Sequence, residues 1–235
     1  MACSGRLRTV QGMKHADFVL ENELWAKAEG WIVACDEVGR GAYAGPVTVG
    51  ACAVLPELAL TAPFVADSKL LSRSRREALV GAVLEWAPCA TGSASAAEID
   101  EFGMAQALRI AAGRALDEIV MKCGEITWLI QDGVASWLPE HIVAAGGRVL
   151  QPKLDMTSAT CAAASIVAKV QRDEVMRQLG TQYPDWPAIA TSAGYGTKAH
   201  EAQIKEHGLC PEHRTSWSFA TRLCPRDVAE HPRAE

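Results

Sequence analysis

Four carboxylates in this 235-residue sequence stand where a merely solvated acid is unexpected. Asp36 and Glu37 directly follow an apolar run, Trp31-Ile32-Val33-Ala34-Cys35. Asp132 ends a second run that begins Ile126-Thr127-Trp128-Leu129-Ile130, and Asp173 lies in the second half of an Ala-rich stretch whose other residues have a packed character. Carboxylates at strand ends are where a sheet offers side chains to a ligand. Brought together, they would repel and raise one another's pKa unless something positive sat among them. A divalent cation is the natural counter-charge, because Mg²⁺ takes oxygen ligands, and two such ions can activate a water and stabilise a leaving oxygen in phosphoryl chemistry. Taken singly, each acid also fits a plainer reading. Asp132-Gly133 is a common turn pair, and Asp173 after Arg172 suits an exposed helix position. On a regular strand Asp36 and Glu37 point to opposite faces, so joint metal binding requires a bulge or the strand's end.

The glycines beside this pair narrow the chemistry. Gly39-Arg40-Gly41 follows a strand, as a dinucleotide fingerprint would, but Gly45 is one residue too far away and Pro46 with a β-like run follows instead of a helix. A Gly-Arg-Gly turn next to carboxylates instead lets backbone groups come close to a sugar-phosphate chain. Other site types are absent. The 8 cysteines include no CxxC pair, which excludes the usual zinc and thioredoxin-like motifs and leaves reduced core thiols as the plain reading. His200-Glu201 begins like a zinc-protease helix, but Ile204 stands where the second ligand would be. There is no serine-hydrolase elbow and no phosphate-binding P-loop.

These residues need elements to hold them. Phe18 to Ala28 has a helical pattern ended by Gly30, before the strand from Trp31 to Cys35; a second strand follows Pro46, with Val47, Val49, Ala51 and Ala53 on one face. Ser72 opens a helix through Trp86. Ser95 and Glu98 have capping-box spacing, ahead of a long helix interrupted near Gly103 that runs to about Lys122. Ile126 to Ile130 reads as a third strand ending on Asp132, Arg148 to Leu150 as a short strand, and Thr157 to Leu179 as a helix. Beyond Tyr183-Pro184 shorter polar helices follow, Thr197 to His207 the clearest. A boundary near residue 182 therefore separates residues 1–182 from a helical region with a frayed tail, 183–235.

With these motifs assembled, the sequence resembles bacterial ribonuclease HII. The resemblance rests on Asp36-Glu37-Val38-Gly39-Arg40-Gly41 with Gly45-Pro46, on Asp67-Ser68-Lys69, and on Glu98-Ile99-Asp100. It continues through Asp132-Gly133, the Ala162 to Val170 run ahead of Arg172-Asp173, Gly194-Tyr195-Gly196-Thr197 with His200, and His213-Arg214. It implies an α/β fold: a ribonuclease H-like mixed β-sheet flanked by α-helices, with a small helical C-terminal region that touches substrate. It also implies a metal-dependent endonuclease that cleaves the RNA strand of RNA-DNA hybrids, including a single ribonucleotide embedded in duplex DNA, and leaves 3'-hydroxyl and 5'-phosphate ends. Carried over by position, Asp36, Glu37, Asp132 and Asp173 are the catalytic, metal-binding carboxylates for Mg²⁺ or Mn²⁺, two ions during catalysis. Gly39, Arg40 and Gly41 would contact the 2'-hydroxyl and neighbouring phosphates, Tyr195 would stack at the RNA-to-DNA junction, and Lys69 and Lys169 would meet phosphate. The 2'-hydroxyl is what tells RNA from DNA at one position, so a close turn with an aromatic platform is a chemically sensible reader. Tyr195 as an ordinary core aromatic is the alternative.

Ala42-Tyr43, Leu70, Phe102-Gly103 and Ala193 depart from the family's usual residues and bear on phosphate contact more than on the reaction. The resemblance leaves two other readings open, a related nuclease that needs several consecutive ribonucleotides and a hybrid-binding module that does not cut. It also carries the expectation of a monomer with no protein partner readable from sequence. The formal charge of -5 at first argues against a polyanionic partner. It is unevenly spread, however: residues 67–76 carry a local +3 from Lys69, Arg73, Arg75 and Arg76 against Asp67. Local potential governs where a phosphate backbone settles, and Lys153, Lys169, Arg172 and Arg214 are candidates to extend a basic face. No apolar run reaches the ~20 residues of a membrane span, and Met1 to Val10 lacks the apolar core of a secretory signal, so a cytoplasmic location is expected.

Overall fold

A computed structural model describes residues 16–63 and 71–224. The chain runs through α1 (Val19–Trp25), β1 (Trp31–Val38), β2 (Val47–Val54), α2 (Pro56–Ala59), α3 (Arg73–Trp86), β3 (Cys89–Ala94) and α4 (Ala96–Cys123). It continues through β4 (Ile126–Asp132), β5 (Ala144–Gln151), a 3-10 turn (Leu154–Met156), α5 (Ala159–Gln182), α6 (Ala188–Thr191), α7 (Lys198–His207) and α8 (Ser218–Leu223). One mixed five-stranded sheet has the order β3-β2-β1-β4-β5. The β1–β2 and β2–β3 pairs are antiparallel, and β1–β4 and β4–β5 are parallel.

The apolar strand residues alternate between two cores. Val33, Cys35, Val49, Ala51 and Leu129 face α4, where Leu108, Leu116 and Ile119 meet them. Ile32, Ala34, Val54 and Ile130 face α5 and its Ala162, Ala163 and Ile166. Each fully buried Ile or Leu contributes about 1.5–3 kcal/mol. Every residue of β2 is buried because both layers cover it. The first half of α5, Ala159 to Ala168, is buried almost throughout, since its small side chains let the helix lie close against the sheet.

Local signals set the ends of these elements. Ser95 and Glu98 form the expected capping box, with Ser95 Oγ accepting from the Glu98 amide and Glu98 accepting from the Ser95 amide. Gly103 takes φ 76° and breaks α4 where the interruption was expected. Ser72, Ser158 and Thr197 cap α3, α5 and α7. The first helix is shorter than its pattern, because Trp25 Nε1 donates to the Gly30 carbonyl at 2.9 Å and turns the chain early. β3 has no counterpart in the sequence reading. Its Cys-Ala-Thr-Gly-Ser-Ala sequence has little intrinsic strand character, and it is held by pairing with β2 from Val47↔Ala94 to Cys52↔Cys89. After α5 the chain packs two small clusters onto the turn behind β1: Met176, Ile189 and Cys210 around Ala44, and Ile204, Phe219 and Leu223 around Tyr43.

Candidate active site

β1 and β2 pair without a bulge as far as Val38↔Thr48, whereas pairing of β1 with β4 stops at Cys35↔Gln131. Asp36 and Glu37 therefore lie where two parallel strands diverge, and Asp132 closes β4 beside them. Both acids remain within β1 with no bulge between them, and it is the pairing to β4 that ends before them. Asp36 is 4% exposed and receives a hydrogen bond from Ser165 of α5. Burial pushes its carboxyl up to about 7, against the Ser165 bond and with the charges of Glu37, Asp132 and Asp155 adding to the rise. Glu37 is also raised, by burial first and by Asp132, while Arg40 at 3.6 Å opposes the shift. Asp132 Oδ1 accepts from the Leu154 amide at 2.8 Å, which fixes the turn that carries Asp155.

Asp155 is the acid that sequence reasoning missed. It is 2% exposed, and its charge acts on Asp36. A signal was available: parallel pairing of β5 with β4, ending at Asp132↔Gln151, makes Asp155 another acid just past a strand end. Asp173 belongs to different company. On α5 it accepts from Lys169 Nζ at 2.7 Å and lies 3.8 Å from Arg76, so its charge is met by two cations. The acids whose charge acts on Asp36 are Glu37, Asp132 and Asp155, whereas the expected fourth member, Asp173, pairs with Lys169 and Arg76. Among the described residues, no three Asp, Glu, His or Cys side chains converge closely enough to hold an ion unaided. The donor chemistry nonetheless fits a hard divalent cation. All donors are carboxylate oxygens in mutual repulsion, and Mg²⁺ is commonly held by one or two carboxylates together with substrate phosphates rather than by a closed protein cage.

The same cleft, about 410 Å³, is lined by Asp36, Glu37, Gly39, Arg40, Gly41, Ser165, Lys169 and Tyr195. Two buried arginines brace the turn that lines it. Arg172 donates to the carbonyls of Pro46 (2.8 Å), Ala193 (3.0 Å) and Ala44 (3.3 Å). Arg214 donates to those of Gly39 (2.7 Å), Arg40 (2.9 Å) and Gly45 (3.0 Å). Both are fully buried, so their place on a basic surface is corrected: they are struts inside the turn. Burial lowers both, Arg214 to about 9, still high enough to keep the charge at neutral pH. Gly39 is required here, because it has φ 85° and a Cβ would lie 2.0 Å from Arg172 Nε.

Tyr195 is 37% exposed, which sets aside the core-aromatic alternative, and the Arg172 guanidinium stands 5.7 Å from its ring centre. Gly194 before it has φ 75° and lies so close to the Ala44 carbonyl that a Cβ would sit 2.4 Å from that oxygen. The departures at Ala42 and Tyr43 have structural uses: Ala42 bridges to Tyr195, and Tyr43 stacks on Phe219 at 3.9 Å. Asp100, quoted only as part of a motif, accepts from both amides and both hydroxyls of Thr215 and Ser216 and so anchors the segment bearing Arg214 to α4. Lys69 and Leu70 lie outside the described residues. No helix among the described residues is long and apolar enough to cross a membrane.

A mixed sheet with acids at the diverging ends of its central strands, wrapped by helices, is the ribonuclease H-like architecture. Solved structures of that class share it. The ribonuclease HII of Archaeoglobus fulgidus, solved in complex with PCNA, aligns with TM-score 0.62 at 22% identity, covering 85% of this chain and 99% of that one. Bst-RNase HIII in complex with Mn²⁺ aligns with TM-score 0.64 at 20% identity, covering 88% of this chain and 73% of that one. The family follows from sequence. The ribonuclease HII family model matches residues 33–220. The ribonuclease HII of Streptomyces avermitilis is 39% identical over 198 residues, 82% of this chain and 78% of that protein. That of Jannaschia sp. is 39% identical over 209 residues, 88% and 98% respectively. The chain belongs to the ribonuclease HII family and is a ribonuclease H endonuclease.

Proposed function

We propose that this enzyme, acting on RNA-DNA hybrids, also incises duplex DNA at a single embedded ribonucleotide and leaves 3'-hydroxyl and 5'-phosphate ends. The observation that carries this reading is one cleft lined together by the acids Asp36 and Glu37, the Gly39-Arg40-Gly41 turn and Tyr195. The metal-binding set we assign is Asp36, Glu37, Asp132 and Asp155, for two Mg²⁺ or Mn²⁺ ions. Such ions, when bound, lower the pKa of water and neutralise charge developing on the leaving oxygen.

The chain's own groups orient the substrate. With the carbonyls of Gly39 and Arg40 engaged by Arg214, the turn has its N–H groups to offer a 2'-hydroxyl or phosphate oxygen. Arg40, whose side chain is 60% exposed, adds a charge at the rim. Lys169 lines the cleft with its ammonium steadied by Asp173 at 2.7 Å. Tyr195 presents an aromatic face on which a deoxyribose can rest. Asp173 in this scheme orients Lys169 and does not hold metal.

The test is cleavage of a DNA duplex carrying one ribonucleotide, with Mg²⁺ or Mn²⁺ and with chelator. Nicking 5' to the phosphate-bearing product end, abolished by chelator, is the expected result; cleavage of continuous hybrids only would overturn the single-ribonucleotide reading. Asp155→Asn should reduce turnover by about a thousandfold or more, roughly 4 kcal/mol of barrier, and Asp173→Asn by far less. The reverse ranking would return Asp173 to the metal set.

A further inference from the structure

His200 on α7 and His213 beyond it are both buried, and neither lines the cleft. Their Nε2 atoms are 3.0 Å apart. Two neutral imidazoles can bond in this way in only one sense at a time, and the surrounding groups decide which. The Cys210 amide, which can only donate, lies 2.9 Å from His213 Nδ1; the Cys210 carbonyl is farther from that nitrogen, at 3.3 Å, and already accepts from the His213 amide at 2.9 Å, so the amide is the better partner and Nδ1 then carries no proton. The His213 proton is then on Nε2 and is donated to Nε2 of His200. That leaves the His200 proton on Nδ1, 3.1 Å from the carbonyl oxygen of Tyr195, which can only accept. This proton order matches the closest partner at each end, the Cys210 amide at His213 and the Tyr195 carbonyl at His200, and leaves the Cys210 carbonyl to the His213 amide.

The setting favours the neutral pair. Burial lowers both rings, His213 to about 4 with His200 adding to the fall. Tyr43, Trp186 and Phe219 pack around them. The Tyr195 carbonyl also accepts from the Thr197 amide at 2.8 Å, and Ser192 Oγ approaches it at 3.1 Å while making a shorter bond, 2.7 Å, to the Ala188 carbonyl. His200 is thus the side chain of α7 that holds the Tyr195 carbonyl, beside the bridge of Tyr195 to Ala42 and the bond of its amide to the Ser192 carbonyl.

We propose that His200 and His213 are positioning residues: a singly oriented histidine pair that fixes the Tyr195 backbone, and so its ring, where an RNA-to-DNA junction meets the cleft. The selectivity this gives rests on the reading of Tyr195 as the junction contact. A displacement of the order of 1 Å at such a contact can cost up to about a hundredfold in rate, so the pair acts on discrimination between substrates more than on hydrolysis itself.

The experiment compares two polar replacements and reads the tautomers directly. In ¹⁵N-resolved spectra of the full chain at neutral pH, His213 should be protonated on Nε2 and His200 on Nδ1; the opposite tautomers overturn the arrangement. His200→Asn keeps an N–H near the Nδ1 position, whereas His200→Gln places its amide towards His213. The ratio of single-ribonucleotide to continuous-hybrid cleavage should fall about tenfold in His200→Gln and stay within about threefold of the parent in His200→Asn. Equal losses on both substrates, following the melting temperature, would make the pair merely structural and overturn the proposal. Tyr195→Leu separates the two ideas. An unchanged ratio in that variant overturns the junction reading and the selective role with it, while a ratio lost there but retained in His200→Gln overturns the histidines' role alone.

Discussion

On the sheet side of the cleft, Asp36 is buried among Glu37, Asp132 and Asp155, and its carboxyl is pushed up to about 7. Behind the turn that follows β1, Arg172 and Arg214 are buried as deeply, yet their hydrogen bonds go to six different backbone carbonyls. The acids gather like charge, and the hydrogen bonds that Asp36 and Asp132 accept, from Ser165, the Glu37 amide and the Leu154 amide, do not remove that repulsion. The guanidiniums are solvated by dipoles that the fold supplies. A buried charge is tolerated when hydrogen bonds replace its water, so the arginine brace is complete without ligand. The acid group has its deficit where an external cation would enter.

The largest test of this contrast is Asp132→Asn. Asparagine retains an oxygen to accept from the Leu154 amide, so the turn bearing Asp155 is kept while one negative charge is lost. Turnover should fall at least about a thousandfold, roughly 4 kcal/mol of barrier, with the melting temperature unchanged or raised, because like-charge repulsion is relieved. Single-turnover cleavage and thermal melts check this. Parallel losses of activity and stability would mean that the acids hold the fold together and would erase the difference between the two regions.

The arginine brace should respond in the opposite way. Arg214→Met strands the carbonyls of Gly39, Arg40 and Gly45 and should cost about 3 kcal/mol or more of folding stability in denaturant titration. Arg214→Lys should recover only part of it, since an ammonium is a point donor and cannot span three carbonyls as a planar fork does. A loss below about 1 kcal/mol would show that the turn stands without its strut, at the level of an ordinary exposed contact.

The two regions also differ in how legible they are in the sequence. β1 and β4 are β-branched and aromatic runs, so their ends, and with them Asp36, Glu37 and Asp132, follow from local pattern. Asp155 is two residues beyond the left-handed Lys153 in an irregular turn, and only the parallel alignment of β5 with β4 brings it into place. β3 has no local signal for the same reason: its register with β2 is a tertiary fact. Arg172 and Arg214 read as surface charge, because a sequence gives an arginine's sign but not its burial, and their partners are backbone oxygens that leave no side-chain pattern. Asp173 is the converse. Its context places it with the acids, while in the fold a cationic neighbour one helical turn back, Lys169, together with Arg76, meets its charge.

An acid and a base that meet directly at the surface give the scale for both regions. Glu98 accepts from Arg114 Nη2 at 2.7 Å and from the Ser95 amide at 2.8 Å, and the Arg114 bond, with the Ser95 bond second, holds its carboxyl down at about 2. Because the folded pKa lies below the ordinary 4.5, the stabilisation is fully present above pH 4.5 and is lost as pH falls towards 2. The Arg114 side chain is 50% exposed, so water screens the pair and about 1 kcal/mol is the expected contribution. Glu98→Gln keeps the capping-box geometry and removes only the charge. It should destabilise by that amount at pH 7 and match the parent near pH 2 in denaturant titrations. A cost that persisted at pH 2 would place the value of Glu98 in helix capping, and direct charge pairing at this surface would then contribute less than the carbonyl cradle around either buried arginine.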